Sequence, residues 1–148
     1  KAPEVIKNVG GKYVKGTYGT VAANPNQELA TWFENHYQQE FGEMPPKPYI
    51  DTQYDAVVLM ALAMAKGGAA TRDVIHGNLR RVANPPGKKV DARNLAEAFK
   101  HLTEGGEINY DGVSGSCNFD KFGDVPGSFE VWAFTEDGIE TIKYITVE

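Results

Sequence analysis

Residues able to do chemistry are few in this chain, and their spacing argues against catalysis. His36, His76 and His101 fall on three different stretches of helical pattern, and none has a partner histidine four residues away, so a zinc-binding helix pair is absent. All three read as residues of amphipathic or solvent-facing helix surfaces. A single cysteine, Cys117, excludes an internal disulfide framework and any multi-cysteine metal centre. With no basic neighbour and no helix start beside it, Cys117 reads as a buried, inert thiol in a strand. The run Gly112-Val-Ser-Gly-Ser does not lead from a strand into a helix, as a nucleophile elbow would. Asp111 to Asp124 is rich in acid and glycine but lacks the twelve-residue spacing of a calcium loop, so turn chemistry accounts for it. Gly10-Gly11 reads as a turn and not a phosphate loop, because no helix is expected after it. Gly87-Lys88-Lys89, offset by Asp91, reads as a solvated loop. No catalytic, metal or cofactor site is therefore expected.

The composition agrees. The chain has 148 residues, 41% of them apolar, with 15 Lys and Arg against 20 Asp and Glu for a net charge of −5. An acidic, mixed-sign surface offers no footprint for nucleic acid or an anionic membrane. The longest apolar run, Ala56 to Ala65, falls well short of the roughly 18 residues of a spanning helix. Lys1 follows neither an initiator Met nor a signal segment, which reads as processing or truncation.

Which elements hold these residues? Tyr13 to Thr20 is rich in β-formers between Gly10-Gly11 and Asn24-Pro25, and reads as a strand entering a turn. From Asn26, Leu29, Trp32, Phe33, Tyr37 and Phe41 recur at helical spacing until Gly42 stops them. Asp51 to Lys66 is apolar on nearly every side and reads as a buried helix capped by Gly67-Gly68. Thr71 caps a third helix carrying Val74, Ile75, Leu79 and Val82, with Arg80-Arg81 at its negative end and Pro85-Pro86 beyond. Asp91 caps a fourth, with Leu95, Ala98, Phe99 and Leu102 on one face. Then the texture changes to short strands at Ser116 to Phe119, Phe129 to Phe134 and Ile139 to Val147, with Glu136-Asp137-Gly138 as a hairpin turn. Four helices, one greasy all round, thus come without the Val/Ile-rich strands of a central parallel sheet. Either the domain is a helix-rich α+β unit, or the chain is a piece of a larger α/β protein.

The order of these features resembles the C-terminal part of type I periplasmic solute-binding proteins, the branched-chain amino acid class that serves ABC importers. The resemblance rests on the Tyr13 to Thr20 strand, the Asn24-Pro25-Asn26 helix start, and Tyr54-Asp55-Ala56 opening an Ala/Leu-rich helix. It continues with Thr71-Arg72-Asp73, Gly112-Val-Ser-Gly115, Phe119-Asp120-Lys-Phe-Gly123-Asp124, and a closing Val131-Trp132 strand with an Asp137-Gly138 hairpin. It implies an α/β fold of two lobes joined by crossing strands, with this chain as a C-terminal fragment. Residues 1–23 would then end the second lobe and cross over, 24–128 would belong to the first lobe, and 129–148 would cross back to the second.

The resemblance also implies a function. The protein would be a periplasmic or extracytoplasmic binder of a small amino acid or related carboxylate, with a lipid anchor compatible with that place. Its partners would be an ABC transporter permease and the polypeptide upstream of Lys1, with no cofactor and no nucleic acid. A ligand sensor or receptor domain of the same fold is the alternative. Tyr49, in Pro48-Tyr49-Ile50-Asp51, takes the place of a first-lobe aromatic that lines the ligand cleft; independently, a tyrosine entering a buried helix can pack an apolar group and still donate its hydroxyl. Asp51 reads first as an N-cap and second as a partner for a ligand ammonium. Tyr18, near the first crossing, is a third candidate, with packing in its strand as the plainer role. Asp55 reads as a first-turn acid favoured by the helix dipole, so that its replacement by Asn should cost about a kcal/mol or less.

Overall fold

The structure is a computed structural model, and it describes residues 3–24, 26–46 and 49–147. The chain divides into two compact units, residues 26–126 and the described residues of 1–25 with 127–148.

The unit of residues 26–126 begins with α3 (Gln27–Phe41), after two short helices of the other unit, α1 (Glu4–Val9) and α2 (Gly11–Val14), and its strand β1 (Tyr18–Ala22). Asn26 starts α3, its Oδ1 accepting the Leu29 N–H at 3.1 Å, and Gly42 ends it in the left-handed region at φ 77°. The face it buries carries Leu29 and Phe33. Next comes α4 (Ile50–Gly67), 18 residues long, which inserts Val58, Leu59, Leu62 and Ala63 into the core and ends at Gly68, whose N–H reaches the Met64 carbonyl at 2.8 Å. Thr71 caps α5 (Arg72–Ala83) through its hydroxyl, as its position before an apolar-periodic run requires. A strand β2 (Lys88–Asp91) follows, then one 3₁₀ turn at Ala92–Asn94 and α6 (Leu95–Thr103). Asp91 and Asn94 form a reciprocal capping box at that turn. Strands β3 (Ile108–Gly112) and β4 (Gly115–Ser116) close the unit.

The sheet order is β2-β3-β4, with β2 parallel to β3 and β3 antiparallel to β4. Its core gathers Leu62, Ala63, Val82, Ala83, Ala98, Ile108 and Tyr110, all fully excluded from solvent. Gly87 is where chain approaches chain: a Cβ there would stand 2.4 Å from the Ile108 carbonyl carbon, which only glycine avoids. A second cluster of Leu29, Phe33, Ala92 and Val113 joins α3 to the β3–β4 turn, and Tyr54 packs against both clusters.

In the other unit, β1, β5 (Gly127–Phe134) and β6 (Ile139–Val147) form an antiparallel sheet in the order β1-β5-β6. Tyr18 pairs with Ala133, and Gly19 lies opposite Trp132, whose indole fills the space a side chain at 19 would need. Thr135 and Gly138 close the β5–β6 hairpin.

Several expectations are corrected. The first strand starts at Tyr18, because residues 11–14 coil into α2; Gly10-Gly11 is therefore followed by a helix, though one of four residues. Lys88 and Lys89 lie in β2, where parallel pairing with Ile108 and Asn109 outweighs the loop-like composition. β3 went unread because Gly, Asp and Asn around Ile108 to Gly112 mask a strand that is buried along most of its length. Strand structure at 116–119 stops at Ser116. Pro25 and Pro48, parts of two quoted motifs, lie outside the described residues.

Candidate functional site

The first two turns of α4 hold the most unusual backbone and the most unusual side chain of the larger unit. Tyr49 is the N-cap of α4 at φ 77° and ψ 4°, the one non-glycine left-handed residue among those described. A bulky side chain is disfavoured in that region, so the turn is held in place by its surroundings. The Tyr49 carbonyl accepts the Gln53 N–H at 3.0 Å, while its side chain makes no cap bond and the residue is 57% exposed. Asp51 sits inside the first turn and not at the N-cap; its Oδ1 accepts the Thr52 N–H at 2.8 Å. Its charge still favours that end of the helix through the backbone dipole. Tyr49 and Asp51 thus share one turn. Tyr18 belongs to the other unit, on β1, and is 65% exposed.

One turn deeper lies Asp55, which is 2% exposed. Its carboxylate accepts four hydrogen bonds: Oδ1 from the Tyr110 hydroxyl at 2.8 Å and the Val113 N–H at 2.9 Å, and Oδ2 from the Ser114 N–H at 2.7 Å and the Ser114 hydroxyl at 2.6 Å. No ion pair to Asp55 occurs among the described residues. Gly112 makes this cradle possible, because a Cβ there would stand 2.3 Å from Asp55 Oδ2 and 2.8 Å from Cys117 Sγ. Burial raises the Asp55 carboxyl above its ordinary value, and the four donors pull it back down. Burial and the Asp55 charge push the Cys117 thiol up to about 12 and raise the Tyr110 and Tyr54 hydroxyls as well. Cys117 is accordingly a protonated, buried thiol at neutral pH.

The reading of Asp55 as a first-turn acid favoured by the helix dipole is thus corrected, since it is a buried polar anchor. A signal for it was present: in a helix apolar on almost every side, an acid away from the ends is buried only with donors to meet it, and Gly112-Val-Ser-Gly115 was a turn with donors to spare.

Beside this turn, α3 and α4 form an apolar groove of about 590 Å³ lined by Trp32, Tyr37, Ile50, Tyr54 and Val57 among others. Its aromatic rings pack on one another, Phe33 on Tyr54 at 5.2 Å and Trp32 on His36 at 4.2 Å between centroids. His36 Nδ1–H donates to the Trp32 carbonyl at 2.9 Å, so that ring nitrogen is already used. The three histidines lie on three helices, α3, α5 and α6. Among the described residues, no helix is long and apolar enough to cross a membrane.

Comparison with known proteins places the chain. A chemotactic signal transduction system substrate-binding protein, BasB, of Halobacterium salinarum is 28% identical over 97 residues, which are 66% of this chain and 24% of that protein. A crystal structure of a leucine binding protein, LivK, from Thermotoga maritima superposes with a TM-score of 0.56 at 23% identity, over 97% of this chain and 34% of that one, and shows a shared fold. The chain thus spans about a quarter and a third of these two relatives. The model of the receptor family ligand binding region matches residues 3–137. With nearly its whole length in that match and the fold of a type I periplasmic binding protein, the chain belongs to this receptor family of ligand-binding regions.

Proposed function

We propose that the chain is part of an extracytoplasmic solute-binding protein serving an ABC importer. In this reading it holds a small amino acid or related carboxylate in a cleft between two lobes and carries out no catalysis. The observation that carries it is the family match over residues 3–137, since ligand binding is what describes that family. The names of both relatives, a leucine binding protein and a substrate-binding protein, agree with a small-molecule ligand. In this reading residues 1–23 end the second lobe and cross over, 24–128 are part of the first lobe, and 129–148 cross back to the second.

Tyr49 is the first ligand residue in this proposal. Its exposed ring and strained backbone support the choice: an aromatic held left-handed at a helix start costs stability, and such strain concentrates where a function needs the geometry. Asp51 would meet a ligand ammonium in the same turn, and Tyr18 would contribute near a crossover. Ligand contacting both lobes only when they close shifts the hinge equilibrium by its differential affinity, and the permease reads the closed state.

Titration calorimetry of the complete two-lobed protein against the twenty standard amino acids tests this. Tyr49→Ala should weaken the binder by about 1 to 3 kcal/mol with the fold retained. Unchanged affinity would remove Tyr49 from the site, and failure of every amino acid to bind would remove the ligand class.

One observation favours a second reading, that of a sensor. BasB is named for chemotactic signal transduction, and binding would then feed a transducer and not a permease. Loss of amino acid uptake on gene deletion supports the importer; loss of taxis with uptake intact supports the sensor.

A further inference from the structure

Asp55 does more than satisfy itself. The loop that receives its carboxylate, Val113 and Ser114, also sends the Val113 side chain into the cluster against which Ile50 packs, and Ile50 is the residue next to Tyr49. Val113 is fully buried; its N–H holds Asp55, and its side chain belongs to the cluster on which Ile50, at the start of α4, packs. Tyr54, adjacent to Asp55, packs on Phe33 and fixes the same stretch against α3. The Tyr49 turn has no side-chain cap of its own and is left-handed at a non-glycine residue, so its geometry is imposed from outside. Asp55, one turn beyond it, joins α4 to the Gly112–Gly115 loop by hydrogen bonds to Val113 and Ser114.

We infer that Asp55 is a positioning residue for ligand binding: its carboxylate fixes the Gly112–Gly115 loop, and the loop fixes the Tyr49–Asp51 turn in the geometry that receives ligand. This rests on the assignment of Tyr49 to the ligand site. An aromatic contact strengthens binding only if its orientation is set in advance, because ordering it on association is costly. Ligand therefore need not touch Asp55 for affinity to depend on it.

The test uses the complete two-lobed protein and the amino acid, among the standard twenty, that wild type binds. Asp55→Asn keeps the shape but replaces one acceptor oxygen with a donor facing Ser114, and affinity should fall about tenfold at a temperature well below unfolding. Ser114→Ala, the milder variant for use if Asp55→Asn does not fold, removes one of the four donors and should weaken binding about threefold. Leu102→Ala, in the core on α6 and with no hydrogen bond to Asp55 from its side chain, is the control that a purely structural role for Asp55 would resemble: stability drops and affinity in the folded protein stays put. Affinity unchanged in both Asp55→Asn and Ser114→Ala, while Tyr49→Ala weakens binding, overturns this inference and leaves the site assignment standing. Tyr49→Ala without effect, or no binder among the twenty, overturns the assignment beneath it.

Discussion

Replacing Asp55 by Asn is the sharpest test of the packing described for α4. In wild type the carboxylate meets four donors, two of them the backbone N–H groups of Val113 and Ser114. An Asn side chain offers one oxygen, which can keep about two of these bonds, while its NH₂ group points donors at donors on the other side. Each buried donor left without an acceptor costs about 1 to 3 kcal/mol, so two such losses put the change at about 2 to 6 kcal/mol. Urea or thermal unfolding of the complete protein measures this directly. Gly112→Ala provides the second leg of a cycle, because its Cβ would collide with the same carboxylate and with Cys117 Sγ. Asp55→Ala removes the carboxylate, so the double variant should be less unstable than the sum of the two singles by about 1 kcal/mol or more. A loss for Asp55→Asn below about 1 kcal/mol, which is what a surface acid at a helix start would give, refutes the buried cradle. Additivity in the cycle would separately refute the close approach of Gly112 to Asp55.

At Tyr49, Gly should relieve the left-handed strain and raise stability by about 0.5 to 1 kcal/mol, after allowing for the extra freedom of glycine in the unfolded chain, yet weaken ligand binding; a loss of stability would show that the ring's packing matters more than its backbone. The loop from Asp120 should open in acid. Backbone N–H groups of Asp124, Phe122 and Gly123 hold the Asp120 carboxyl below its ordinary 3.8, so their contribution is complete above that value and is lost as the pH falls through the lowered one. Amide exchange at residues 122–124, corrected for its intrinsic pH dependence, should therefore accelerate only below about pH 3.8; acceleration between pH 5 and 7 would contradict it. For Asp55 the sign is opposite, since burial raises its carboxyl: that contribution is complete below 3.8 and is lost as the pH rises through the raised value.

Much of the helical layer was legible because its signals are local. Asn26 before a three-and-four repeat, Thr71 before Val74 and Gly68 after an Ala-rich run each act within one turn, and the caps sit where those residues stand. The sheet of the larger unit was not legible for the converse reason. Lys88 to Asp91 has one buried residue, Val90, and is a strand only because Ile108 to Gly112 lies alongside it, some twenty residues later. Such pairing leaves no periodicity in either segment. The α1 and α2 helices were missed because six and four residues carry too little pattern to register against glycine neighbours. At the candidate site, the resemblance and the chemistry of its side chain point to Tyr49, while its left-handed backbone leaves no trace in the sequence, because tertiary surroundings impose it.

Asp51 and Asp55 show how little residue type decides by itself. They stand four apart on one helix, close to the same face, and the sequence reads both as acids of the helix start, Asp51 as its N-cap and Asp55 as a first-turn residue favoured by the dipole. Burial separates them. Asp51 is half-buried at the rim and spends one oxygen on the Thr52 N–H, which leaves acceptor capacity for an incoming cation. Asp55 is enclosed and has both oxygens filled by the chain itself, so no ligand can compete for it without dismantling the Gly112–Gly115 loop. An acid that recognises a ligand must keep an unfilled lone pair facing solvent, and an acid that fixes a fold must have none. On that criterion Asp51 is suited to recognition and Asp55 to positioning, although in sequence Asp55 sits in the more motif-like setting, Tyr54-Asp55-Ala56.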